Sequence, residues 1–170
     1  MRSRHLGILL AAVIATSILQ LTLGSKLTVV SARPDLVLLL VVTTSVVGGV
    51  EEGVLVGILG GMSLDMMSVT PFGTATIAMG LIGLATGLGE SNIYRANLLI
   101  PLVAVFLATV FYHSFLLLAL QAAGWSVEWI STLARQTIPG AAFNALLAPL
   151  PLAIVRRLAA WDKLEEHLGW

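Results

Sequence analysis

Long charge-free runs separated by short polar segments set the plan of this chain. After the basic start Met1-Arg2-Ser3-Arg4-His5, no charge occurs from Leu6 to Ser25. A second charge-free run covers Leu36 to Val50, with Pro34-Asp35 in front of it and Gly48-Gly49 then Glu51-Glu52 behind it. A third, from Gly53 to Ser68, holds one acid, Asp65. Thr70-Pro71-Phe72-Gly73 turns the chain into a fourth run ending near Gly89. Leu98 to Gln121 and Thr137 to Val155 complete the series. The runs are continuous rather than alternating, which predicts helices and not barrel strands.

The expected spans are residues 6–24, 35–50, 53–68, 74–89, 98–121 and 137–155, in a single membrane domain over 1–170. The first run is too long for a signal-peptide core of about 7–15 residues, so it reads as a span. Leu36 to Val50 covers only about 22 Å at 1.5 Å per residue, so Pro34 and Asp35 belong to its interfacial start. Trp125, Trp129 and Leu133 recur every four residues, which predicts an amphipathic interfacial helix over 125–135. The tail from Arg156 predicts a second one over 156–168. Pro139, Pro149 and Pro151 are expected to kink the last span.

Composition sharpens this picture. The 170 residues are 58% hydrophobic and 11% charged, against about 25% charged in soluble domains. Such a chain cannot cover a globule with polar surface, so the bilayer must solvate it, with its backbone satisfied as helices. The fold class is therefore an all-α polytopic membrane protein with six transmembrane helices. With six spans, Arg2, Arg4, Arg95, Arg156, Arg157 and Lys163 share one side, and Lys26, Arg33 and Arg135 the other. That bias puts both termini in the cytoplasm. The balanced net charge offers no basic patch for nucleic acid. The absence of cysteine excludes disulfides and thiolate chemistry. No phosphate loop, HExxH or nucleophile elbow occurs, so an enzyme is not expected, nor a cofactor or metal.

The candidate residues are few. Gly53, Gly57 and Gly61 follow Gly49 at four-residue spacing, and Gly73, Thr76, Gly80, Gly83 and Gly87 form a second small-residue face. Such faces let helix backbones approach closely, either within the chain or as a groove for a partner. Gly57→Leu is expected to block that approach. Asp65 reads in two ways. It is either an interface-level carboxylate hydrogen-bonded to the turn at Ser68 and Thr70, or a partner-binding or ion-coupling acid. Arg33 or Lys26 is expected to neutralise it. Glu51-Glu52 reads as a solvated turn, and His113 as a packed or lipid-shielded histidine.

Pro34-Asp35-Leu36-Val37-Leu38-Leu39-Leu40, then Gly53-x-x-x-Gly57-x-x-Gly60-Gly61 leading to Leu64-Asp65, then Pro71-Phe72-Gly73, resembles the bacterial rod shape-determining MreD family. The motifs lie between Pro34 and about Gly87; from Leu98 on, only hydropathy matches. The resemblance implies a non-enzymatic component of the inner membrane within the cell-elongation machinery. It implies association with MreC, with RodA and its penicillin-binding transpeptidase, and indirectly with MreB filaments. It also implies a fold similar to the S-components of energy-coupling-factor transporters, whose vitamin-binding role is the alternative reading. An S-component needs a polar pocket near its outer face. The outer-side polar residues here are few: Asp35, Asp65, Thr70, Gln121 and Gln136. On the scaffold reading, the glycine faces, the Asp35/Asp65 end, and Trp125 and Trp129 are the contact candidates.

Overall fold

The computed structural model describes residues 2–24, 34–68, 70–89 and 99–168. All regular structure among them is helical. In chain order the helices are α1 (Arg2–Gly24), α2 (Leu36–Gly48), α3 (Val50–Met67), α4 (Thr74–Gly87), α5 (Leu99–Ala122), α6 (Trp129–Thr132), α7 (Ile138–Leu147) and α8 (Pro149–Leu168), with a π turn, Leu133–Thr137, joining α6 to α7. Among the described residues, α5 alone is long and apolar enough by itself to cross a membrane. Trp129–Leu147 and Pro149–Ala160 meet that test together across a 40° bend. Gly7–Gln20, Leu36–Gly48 and Thr74–Gly87 are apolar but shorter. This apolar, all-helical architecture is consistent with a helical membrane protein.

α2 is the hub. Its Leu- and Val-rich sequence has modest helix propensity in water, but without water to bond the backbone, a helix is what satisfies every amide. Val37, Leu38, Val41 and Val42 are fully buried. α1, α3, α4, α5 and α8 all pack on α2. Around it, successive neighbours also pack on each other: α1 on α3, α3 on α4, α4 on α5, α5 on α7, and α7 on α8. The core is the layer between α2 and this surround, filled by Val56, Ala78, Met79, Val105 and Leu152 among others.

Three local features depart from the expected boundaries. The break after α2 is one residue, Gly49, whose φ of 85° suits glycine alone among ordinary residues. The helix resumes at Val50, so Glu51 and Glu52 lie in the first turn of α3 rather than in a loop. There they suit the positive end of the helix dipole. The amphipathic helix expected over 125–135 does not start at Trp125. Residues 125–128 are irregular, and α6 gives way to the π turn within one turn. The tail expected as a separate helix over 156–168 is continuous with α8, and the break falls at Ala148 instead. Pro139 sits in the first turn of α7, and Pro149 and Pro151 sit in the first turn of α8. There a missing amide costs nothing, so the chain bends once, between the two helices.

Candidate functional site

Two carboxylates mark the same end of the bundle, and the chain itself binds both. Asp65 stands in the last turn of α3, 4% exposed. Its Oδ1 accepts the Ala75 amide at 2.9 Å. Its Oδ2 accepts the Thr76 amide at 2.9 Å and the Thr76 hydroxyl at 2.6 Å. These amides are among the orphan donors at the start of α4, so Asp65 caps the next helix. The negative charge also faces the positive end of that helix dipole. The turn that permits this is Pro71-Phe72-Gly73, with Gly73 in the left-handed region at φ 95°. The expected bonds from the Asp65 carboxylate to Ser68 and Thr70 are not formed. Those two hydroxyls bond each other at 2.7 Å, and the Asp65 carboxylate is taken up by α4. The expected ion pair with Arg33 or Lys26 lies outside the described residues.

Asp35, just ahead of α2, is the centre of a second network. Its Oδ1 accepts from Gln20 Nε2 of α1 at 3.1 Å. The same Gln20 side chain accepts the Val37 amide through Oε1 at 2.9 Å. The Asp35 amide donates to Asn144 Oδ1 of α7 at 3.0 Å. Asn144 is fully buried, and its Nδ2 donates to Thr109 Oγ1 of α5 at 3.3 Å. His113 Nδ1 lies 3.0 Å from the Thr109 carbonyl. A carbonyl can only accept, so this nitrogen carries the proton. Side chains from α1, α5 and α7 thus converge on the first turn of α2. Pro34 is buried beside them.

A third fastening lies at the opposite end. Ser45 Oγ of α2 donates to the Gly83 carbonyl of α4 at 2.6 Å, and Thr86 Oγ1 lies 2.9 Å from it. Between these ends runs the seam of α3 on α4. A Cβ on Gly53 would strike Ser45 Oγ and come within 2.7 Å of the Gly83 carbonyl. One on Gly57 would strike the Met79 carbonyl, and one on Gly61 the backbone of Thr76. From the other side, a Cβ on Gly83 would strike Gly53, and one on Gly87 would lie 2.6 Å from Val50 Cα. The two glycine faces therefore meet each other.

Residues 1–158 match the family described as rod shape-determining protein MreD. The chain belongs to the MreD family. No curated protein and no solved structure matches it. The family is one of membrane-associated, shape-determining proteins and is not a known enzyme family, so its members act in rod shape determination.

Within that family frame, the remaining candidate residues fall into two groups. The seam does not require a glycine at Gly80: its backbone borders the seam, but a Cβ there would meet only Ile58 Cγ1, at an ordinary 3.6 Å. Trp129 Nε1 donates to Gln121 Oε1 at 2.7 Å, which ties α6 to the end of α5. Trp125 is exposed, and Glu128, Trp129, Ile130 and Arg135 line an open depression. Neither indole touches the carboxylate networks. Gln20, Thr109 and Asn144 were not anticipated, although each is a polar residue standing in an apolar run. Among the described residues no group of His, Asp and Glu is arranged to hold a metal ion. What this arrangement does chemically is hold helices together: both carboxylates are acceptors for backbone and side-chain donors of the same chain.

Proposed function

We propose that this chain is a non-enzymatic scaffold of the bacterial inner membrane, a six-span bundle in the cell-elongation machinery. It binds MreC and through it helps control peptidoglycan synthesis by RodA and its penicillin-binding transpeptidase, with MreB filaments engaged indirectly. Both termini face the cytoplasm. The family match over residues 1–158 carries this reading. The use of the buried polar groups supports it, because Asp35, Asp65, Gln20 and Asn144 are spent on joining helices. A rigid, internally fastened bundle suits recognition by shape, without turnover.

The test is affinity isolation of the tagged protein from native membranes in mild detergent, with its companions identified by mass spectrometry. Recovery of MreC with elongation-synthase subunits is the expected result. Recovery of a membrane coupling subunit with two ATPases, and no MreC, would replace the scaffold with a solute-uptake S-component.

A further inference from the structure

We propose that the π turn ahead of α7 is a binding site for one buried water molecule, made by the Thr137 hydroxyl, the Ala134 carbonyl and the open space in front of Gly140. The water fastens a helix that a proline would otherwise leave one bond short. This inference goes beyond the scaffold reading and does not depend on which partner the chain binds.

The first observation is a hydroxyl without a bond. Thr137 is 1% exposed, and among the described residues its Oγ1 is the one buried side-chain oxygen or nitrogen with no hydrogen-bond partner. The other buried threonines all donate to a carbonyl three or four residues back: Thr43 to Leu39, Thr44 to Leu40, Thr74 to Pro71, Thr86 to Ile82 and Thr109 to Val105. The carbonyl four residues before Thr137 belongs to Leu133, and in the π turn it accepts the Ile138 amide instead. The wider turn thus denies Thr137 the partner that an α-helix gives its counterparts.

The second observation is a carbonyl without a backbone donor. In an α-helix the Ala134 carbonyl would take the Ile138 amide, but that amide goes to Leu133. In a π-helix it would take the amide five residues on, but that residue is Pro139, which has no N–H. Pro139 costs α7 nothing, yet it leaves the turn ahead one donor short. Where proline interrupts a helix away from bulk water, a local π adjustment and ordered water re-satisfy the freed group.

The third observation is room. Gly140 is buried, but among the described residues a Cβ built on it would meet no atom within 4 Å beyond its chain neighbours and its own helix backbone. A Cβ leans toward the N-terminal end of its helix, so this space lies over the turn that carries Thr137. Thr137, Gly140, Ala141 and Asn144 share the buried side of the π turn and α7. α5 packs on both, and Thr109 of α5 bonds Asn144 on that side. The space is therefore walled by helices and adjoins two polar groups. A water that accepts from Thr137 Oγ1 and donates to the Ala134 carbonyl has the two partners a buried water needs.

The direct test is a crystal structure of the full-length protein in a lipid mesophase, at a resolution that shows ordered water. Density for one oxygen within about 3.2 Å of both Thr137 Oγ1 and the Ala134 oxygen is expected. No such density, or Thr137 Oγ1 turned onto the Leu133 carbonyl in an α turn, overturns the proposal. Thermal unfolding in detergent adds a test of sign. Gly140→Ala fills open space and favours the helix, so at a dry site it raises Tm. If it displaces a water it strands two polar groups, and Tm falls by about 2–8 °C. Thr137→Val removes an unbonded hydroxyl from a dry site and raises Tm. At a hydrated site it lowers Tm by about 2–6 °C, and Thr137→Ser restores most of the loss. A Tm unchanged or raised in either Gly140→Ala or Thr137→Val overturns the water site.

Discussion

Replacing Gly57 with alanine adds one methyl group where two helix backbones touch. The new Cβ would strike the Met79 carbonyl oxygen, with the Met79 carbonyl carbon at 2.8 Å and the Gly80 nitrogen at 3.1 Å. These are backbone atoms, so no side chain can swing away, and α3 must part from α4 by several tenths of an ångström. A gap of about 0.5–1 Å forfeits a quarter to a half of each dispersion contact along the seam. Overpacking of this kind costs about 1–3 kcal/mol. Gly80→Ala is the internal control on the neighbouring helix. Its Cβ meets only Ile58 Cγ1 at 3.6 Å, and alanine gains about 0.5–1 kcal/mol over glycine inside a helix. Gly57→Ala gains the same helix term, which cancels, so the two variants should differ by about 1–3 kcal/mol, or roughly 2–12 °C in Tm for a chain of this size. Thermal unfolding in detergent, followed by loss of the monodisperse species, measures the difference. Equal Tm values, or a lower one for Gly80→Ala, would refute the assignment of the seam.

Three further substitutions probe the fastenings at the carboxylate end. Asp65→Ala strands the amides of Ala75 and Thr76 and should cost about 2–5 kcal/mol. Asp65→Asn keeps one acceptor and should cost less than half as much; equal losses in thermal unfolding would show that capping is not its role. Asn144→Leu removes the acceptor for the Asp35 amide and should cost about 1–3 kcal/mol, with faster hydrogen exchange at that amide as the specific sign; unchanged exchange would contradict it. Gln20→Met keeps the volume but cuts both bonds from α1 to α2. It should speed exchange at the Val37 amide while leaving Asp65 and α4 undisturbed, and protection lost equally at Thr76 would argue against separate networks.

Much of this was legible in the sequence, and the remainder was hidden for definable reasons. An acid in an apolar helix drew attention to Asp65, and the turn Pro71-Phe72-Gly73 stood a few residues on. Its partner was misplaced because the nearest hydroxyls in sequence, Ser68 and Thr70, are not the nearest in space once Gly73 folds α4 back. Four-residue spacing identified Gly53, Gly57 and Gly61, but spacing does not fix the register of the facing helix. On α4 the seam is made by the backbone of Met79 and by Gly83 and Gly87, while Gly80 turns aside. Formal charge was the filter applied to the apolar runs, and neutral amides pass through it unseen. Gln20 and Asn144 could have been found by asking of each polar residue in such a run where its hydrogen bonds go. The three prolines looked like three kinks, but a proline in a first turn disturbs nothing, so there is one bend.

The bond between the Asp35 amide and Asn144 joins residues 109 positions apart, and it orders events during synthesis. At about 5–20 residues per second, roughly 5–20 s separate the emergence of the start of α2 from that of its acceptor. Over that interval α2 is in the membrane with its first turn incompletely bonded and the face later met by α8 uncovered. Gln20, made just before it, is the one side-chain partner of the first turn of α2 already at hand, so the α1–α2 fastening is the first of this network that can form. A chain stopped before Asn144 is then an unfinished protein whatever its hydropathy, and a natural substrate for membrane quality control.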